Sequence, residues 1–336
     1  MQIDRFGFLL DPTLCSALPT EQATRRELSR IAKWEHLLSQ LEKLPRNRWA
    51  SKTVLLHRLF KGVPDTLRKS VWVLLLPEQD QSAEADGLLS QLFSAKPSGF
   101  ERQIDVDIVR TLRDHVLFRD RYSVGQQRLF RILVAFANKH PQIGYCQGMS
   151  TVAGVLLVYY AEQQAFSVFC RLFEQHNLSQ LYGNGFPLLF ELFWIQEQLM
   201  EKFIPSVLRH FKNYNINLTT NLYATKWYLS LFLCFPQPIA MRVWDLMFWA
   251  GTDVFPVWCI TVLEAVGKVV QRLEFDPLLS FLCRPEEMFA SVDALANEDA
   301  LFERFDALWA KCVASKSKNM PLLHAQYRLQ QQQEKK

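Results

Sequence analysis

Charge of one sign is what this sequence has little of. Its 336 residues carry 38 Lys and Arg against 34 Asp and Glu, a formal +4. The excess sits at the end: residues 311–336 hold six basic residues and one acid, +5, which leaves residues 1–310 at −1. A nucleic-acid-binding domain shows its basic excess across the folded body, so this balance argues against one. The tail reads as a solvated, frayed end, with weak attraction to an acidic membrane or a partner as the alternative.

Chemical motifs are scarce as well. Glycine is 12 of 336, and no Gly-rich strand–turn–helix occurs, which argues against a nucleotide-binding α/β domain. Alternating strand patterns are few. The seven cysteines, Cys15, Cys146, Cys170, Cys234, Cys259, Cys283 and Cys312, are odd in number and never spaced C-x-x-C. They read as reduced core thiols, and no Cys/His cluster has zinc-ligand spacing. There is no G-x-S-x-G, no H-E-x-x-H and no concentration of paired acids, against serine hydrolases, zinc proteases and glycosidases. The opening MQIDRFGFLLDP has an acid and only a short apolar run, unlike a signal peptide. The stretch that most tempts as a span, Ile143–Ala161, carries no charge but contains Gln147, Gly148 and Ser150 and reads as a buried helix with a polar entry, not a membrane span.

What is present is apolar surface at helical spacing. With 49% hydrophobic residues, the chain can bury roughly three quarters of its extended surface. Apolar residues recur at three and four over 20–44, where Leu28, Ile31, Trp34, Leu38 and Leu41 share a face, and again over 125–137. Further helices are predicted at 84–93, 150–160, 163–175, 187–201, 203–212, 222–235, 238–249, 254–272, 286–295 and 298–311, with a short helix or turn at 103–109. Residues 46–60 read as basic and partly helical. Prolines fall near starts and breaks, where a missing N–H costs little. The expected fold class is all-α, in two closely packed helical lobes. Residues 326–336 read as a frayed polar tail or a short exposed helix.

The unusual residues are polar ones in apolar surroundings. Asp107 lies three residues before Arg110, on the same side of a helix or turn, and could orient its guanidinium. A plain solvated ion pair is the blander reading. Tyr145 and Gln147 flank a cysteine, and Gly148 lets the backbone come close to something; a loop glutamine bonded to a helix end would look the same. His115 and His140 have no nucleophile or metal cluster beside them in sequence and read as ordinary polar histidines.

These residues also carry a resemblance. KGVPDTLRKSVW, with Gly62, Pro64, Arg68 and Trp72, is similar to the opening pattern of the TBC-domain family, GTPase-activating proteins for Rab-type small GTPases. The family's I-x-x-D-x-x-R is matched by Ile104, Asp107 and Arg110, and Y-x-Q-G-M by Tyr145, Gln147, Gly148 and Met149. Thr111, His115 and Phe118 follow the family pattern, whereas Leu112 and Arg113 stand where Phe and Pro are usual. GQQRLFRILVAFA, NLYATKWYLSLF and RVWDLMFWAG resemble further blocks, and DRFGF a common lead-in.

The resemblance implies an N-terminal extension over 1–57, a TBC domain over 58–310 with its motifs between 62 and 251, and a basic polar tail over 311–336. It implies a Rab-type GTPase in its GTP-bound state as partner, met in a groove between the lobes. Arg110 would be an arginine finger and Gln147 a glutamine supplied in trans. Asp107 and Tyr145 would support them, with Ile104 and Gly148 shaping the backbone. Arg68, Trp72, Trp244 and Asp245 are expected to serve the fold. No cofactor or metal of its own is expected, since GTP and Mg²⁺ belong to the partner. A cytoplasmic location follows, with peripheral recruitment to endomembranes through the partner and a setting in vesicle trafficking. The alternative is a non-catalytic module that recognises an active GTPase.

Overall fold

The computed structural model describes residues 3–4, 7–9, 21–41, 43, 53–76, 87–314 and 319–334. Its contacts divide the chain into two compact units, Met1–His176 and Asn177–Lys336. Both are helical, and the only extended pairings among the described residues are two isolated bridges.

The first unit contains α1 (Glu21–Leu41), α2 (Thr53–Phe60), α3 (Asp65–Leu75), α4 (Leu88–Phe93), α5 (Glu101–Ile108), α6 (Val124–Lys139), α7 (Met149–Tyr159) and α8 (Glu162–Gln175). Its centre is α6, packed against α4, α5, α7 and α8. An aromatic cluster closes this core, with Phe136 within 4.8 Å of Phe169 and 4.6 Å of Phe173, centroid to centroid. The opening motif is structural. Trp72 is fully buried against Tyr159, whose hydroxyl donates to Asp65 Oδ1 at 2.7 Å, and Arg68 Nη1 donates to the same oxygen at 2.9 Å.

The second unit contains α9 (Leu178–Tyr182), α10 (Pro187–Phe203), α11 (Pro205–Phe211), α12 (Thr220–Leu229), α13 (Gln237–Ala250), α14 (Val254–Ala265), α15 (Gly267–Val270), α16 (Phe275–Cys283), α17 (Pro285–Ser291), α18 (Asp293–Ala296), α19 (Glu298–Ala314) and α20 (Met320–Glu334). Here α10 and α14 form the central pair. Trp244 is buried and donates its indole N–H to the Leu231 carbonyl at 2.9 Å. Asp245 is fully buried. The stretch Gln237–Ala265 is long and apolar enough to cross a membrane, yet 83% of its apolar window is buried inside the protein. Gly251, at φ +70, breaks it between α13 and α14.

Several expectations change in the second unit. The helix expected over 222–235 ends at Leu229, because Leu231 and Phe232 take φ +48 and +64 and turn both side chains into the core. The segment 254–272 splits at Val266 into α14 and α15. Helices α9 and α16 carried no clear sequence signal. Of the two readings of 326–336, a frayed tail or a short exposed helix, the described residues 326–334 take the second, as the end of α20. Met320 and Leu323 are buried, and Tyr327 packs on Trp194 at 5.7 Å. His324 fastens the helix: its ring nitrogens lie 2.6 Å from Glu191 Oε1 and 2.9 Å from Asp253 Oδ1. Those partners are 133 and 71 residues away, beyond any local pattern. Cys15, the predicted helix start at Thr20 and stop at Pro45, much of the polar segment before α4, and Lys316, Lys318, Lys335 and Lys336 lie outside the described residues.

Candidate functional site

Helix α5 is short and anchored by apolar residues. Ile104 is fully buried and Ile108 nearly so, which fixes the helix on α6. Its start is held by Glu101, whose carboxylate accepts from the Ser98 and Gly99 backbone N–H at 2.7 and 3.0 Å. Those bonds draw the Glu101 carboxyl below its usual range, against the opposing effect of burial. At the other end the backbone tightens, with Arg110 N–H donating to the Asp107 carbonyl at 3.1 Å.

Asp107 is the centre of the arrangement. Its side chain is only 5% exposed, while that of Arg110 is 56% exposed. One carboxylate oxygen, Oδ1, accepts from Arg110 Nη2 at 2.5 Å. The other, Oδ2, accepts from the Tyr145 hydroxyl at 2.7 Å. Burial pushes the Tyr145 hydroxyl pKa well up, and the adjacent carboxylate adds to that, so the phenol stays a donor. Asp107 therefore spans the arginine segment and the segment of Gln147.

Gln147 lies on the surface two residues after Tyr145. The turn is shaped by Gly148 at φ +102, which opens α7. Its carbonyl accepts from the Thr151 and Val152 N–H at 3.1 and 3.4 Å. Gly144, at φ +63, has no room for a side chain: a Cβ there would sit 2.3 Å from the Phe100 ring, beside the start of α5. A second tie joins the segments, since Thr111 Oγ1 donates to the Asp107 carbonyl at 2.7 Å and lies 2.8 Å from Ser150 Oγ on α7. Leu112 takes φ +46 and fits against Gly154, where a Cβ would be 3.0 Å from its Cδ1. The departure from the family pattern at this position is thus a packed residue.

Behind the arginine segment, Gln126 on α6 donates to the Phe118 carbonyl at 2.7 Å and accepts from the Tyr122 N–H at 2.9 Å. His115 is buried, its Nδ1 accepting from the Leu117 N–H at 3.1 Å. Phe8 crosses its ring at 4.9 Å, and residues 7–9 pair with 114–116: Leu9 N–H donates to Asp114 at 2.7 Å and Val116 N–H to Gly7 at 3.0 Å. His140 packs on Phe136 with its Nε2 3.4 Å from Glu174; burial lowers its pKa, with Lys139 adding to that.

The site residues expected from sequence therefore play three parts. Asp107, Arg110 and Tyr145 form one hydrogen-bonded group, Ile104 and Gly148 set its backbone, and Gln147 projects from the adjoining turn. The bracing by Ser150, Gln126 and Gly154 was not foreseen; a small residue inside an apolar helix, as at Gly154, is the signal that points to a close neighbour. Among the described residues no group of three His, Cys, Asp or Glu could hold a metal ion. Cys170, Cys259 and Cys312 are buried free thiols, and burial pushes Cys312 up to about 11.

The Rab-GTPase-TBC domain family model matches residues 65–268. A TBC domain-containing protein of Schizosaccharomyces pombe is 31% identical over 327 residues, 92% of this chain and 75% of that protein. The human ecotropic viral integration site 5 protein homolog is 28% identical over 252 residues, 73% of this chain and 30% of that protein. The Rab GTPase-activating protein tbc-11 of Caenorhabditis elegans is 29% identical over 66% of this chain, which spans 24% of it. In structure, the flagellar RabGAP TBC domain of Chlamydomonas superposes with a TM-score of 0.71 at 25% identity, covering 90% of this chain and 99% of that one. The Ypt/Rab-GAP domain of Gyp1p gives 0.66 at 20% identity over 84% of this chain and 98% of its own, a likeness of fold. With its two helical units and the I-x-x-D-x-x-R and Y-x-Q-G-M residues tied together through Asp107, this chain belongs to the Rab-GTPase-TBC domain family.

Proposed function

We propose that this chain accelerates GTP hydrolysis on a Rab-type small GTPase by completing its active site in trans, with Arg110 as the finger and Gln147 as the water-orienting residue. The observation that carries this reading is the Asp107 carboxylate. It is buried, it holds the guanidinium of a half-exposed arginine, and its second oxygen holds the tyrosine two residues before an exposed glutamine.

The chemistry follows from the groups. Hydrolysis places negative charge on the oxygens of the transferring phosphoryl group. A guanidinium brought in by a partner stabilises that charge, and such fingers are worth about 10³–10⁵ in rate. Arg110 is held by one nitrogen, so the rest of its fork is left to face an incoming phosphate. The carboxamide of Gln147 can accept from the attacking water through its carbonyl and donate through its NH₂. The Asp107 brace reduces the orientational freedom lost at the moment of reaction. GTP and Mg²⁺ are carried by the partner.

The test is single-turnover GTP hydrolysis across a panel of small GTPases, with wild type, Arg110→Ala and Gln147→Ala. Acceleration by wild type that is lost in both variants supports the proposal. Acceleration that survives Arg110→Ala overturns the finger. Binding to a GTP-loaded partner without acceleration would instead favour a recognition module.

A further inference from the structure

The near-neutral sum over residues 1–310 conceals a local excess. Residues 21–61 carry ten Lys and Arg against four Asp and Glu, a +6 that exceeds the +4 of the entire chain. The fold gathers much of it in one place. Arg25, Arg26, Arg30 and Lys33 on α1, with Arg58 at the end of α2 and Lys61 just after it, line a groove of about 390 Å³. Among the described residues the lining includes no acid. Glu27, three residues before Arg30, comes within 3.6 Å of it and offsets part of one charge.

This concentration costs the free protein something. Arg26 and Arg30 stand one turn apart on the same helix face, and like charges at that spacing weaken a helix. The groove is nonetheless held open by packing. Trp34 is fully buried beneath it and donates its indole N–H to the Gly62 carbonyl at 3.1 Å, which ties α1 to the turn after α2. An anion relieves the repulsion without any rearrangement of that support.

We propose that the α1–α2 groove binds a small polyanion carrying clustered phosphates. Four of its six cations are arginines, whose planar forks take phosphate oxygens in pairs. The volume is on the scale of a small-molecule site. Among the described residues the one aromatic in its lining is Trp34, which is buried and offers no platform on which nucleic-acid bases could stack. Clustered phosphates reach a protein either on a membrane lipid headgroup or as a soluble ligand. The groove is separate from the Asp107–Arg110 group and does not depend on the function proposed above.

The experiment uses the full chain, with vesicle co-sedimentation and calorimetry side by side. Vesicles of phosphatidylcholine doped with a bisphosphorylated phosphoinositide are compared with vesicles of equal surface charge made with phosphatidylserine, and soluble inositol trisphosphate is titrated separately. The variants are Arg30→Glu with Lys33→Glu, and the milder Arg26→Gln with Arg58→Gln, each checked for helical content and melting temperature. Binding to the phosphoinositide vesicles, weakened at least about tenfold in both folded variants, supports the groove with a lipid source. Binding confined to inositol trisphosphate, with the same loss, supports it with a soluble source. Equal binding to phosphatidylserine vesicles would reduce the groove to general electrostatic attraction and overturn the proposal. No binding in either arm, or binding unchanged in the milder variant, overturns it as well.

Discussion

The Tyr145 hydroxyl donates to Asp107 Oδ2 at 2.7 Å, which leaves Oδ1 to hold Arg110. One carboxylate thus sets two segments that are 38 residues apart in sequence. Asp107→Asn keeps the shape, but its NH₂ must face one of two donors. The expected result is a loss of GTPase acceleration of about tenfold to a hundredfold, carried mainly in kcat, with binding of the GTP-loaded partner little changed. Single-turnover rates against partner concentration separate the two quantities. A variant that loses binding and rate together would show that Asp107 serves the fold instead.

Arg110→Lys preserves charge and loses the fork. Its acceleration should fall about as far as that of Arg110→Ala, on the order of 10³. Thermal stability should stay within about 1 kcal/mol of wild type, because Arg110 is half exposed and water can replace it beside Asp107. Hydrolysis assays paired with thermal melts check both statements.

Gly125 and Gly144, on either side of the arginine segment's supports, are among the glycines with no room for a side chain. At Gly125, near the start of α6, a Cβ would sit 2.2 Å from the Leu117 carbonyl oxygen, a backbone atom that cannot rotate away. At Gly144 the obstacle is the Phe100 ring, and the positive φ adds strain. Gly125→Ala and Gly144→Ala should each destabilise by about 2–4 kcal/mol in denaturant titrations. An alanine tolerated at either site would mean that the arginine segment can shift without cost.

The α20 clamp depends on pH. Burial alone would push the His324 pKa down from its ordinary 6.5, but hydrogen bonds to Asp253 and Glu191 together outweigh it and hold the imidazolium to about 9. The folded-state pKa is raised, so the stabilisation is complete below about pH 6.5 and is lost as pH rises through about 9. Amide exchange in 320–334 should accelerate between pH 7 and pH 10, beyond the intrinsic rise, and His324→Gln should remove that excess. A clamp insensitive to alkali would place its strength in Met320 and Leu323 instead.

Helix class and most helix positions were legible because apolar spacing is a local property. Arg110 and Gln147 stood out as candidates because two short motifs carry them. The carboxylate geometry was not legible: spacing placed Asp107 beside Arg110 but gave no sign that Tyr145 would take the other oxygen. Leu231 and Phe232 misled for a related reason. They are good helix formers by pattern, and only the core around Trp244 makes a left-handed turn favourable there. At the terminal helix a glutamine-rich end left frayed tail and exposed helix undecided, because its anchors lie far away in Glu191 and Asp253. The segment 46–60 was legible as basic, but the groove was not, because the fold builds it from cations on two separate helices, α1 and α2.

The short pairing of residues 7–9 with 114–116 has a practical side. A recombinant fragment trimmed to the family-matched residues 65–268 would lack the strap that lies over His115, five positions beyond Arg110. A hydrolysis assay run on such a fragment would be made without that backing behind the Arg110 segment.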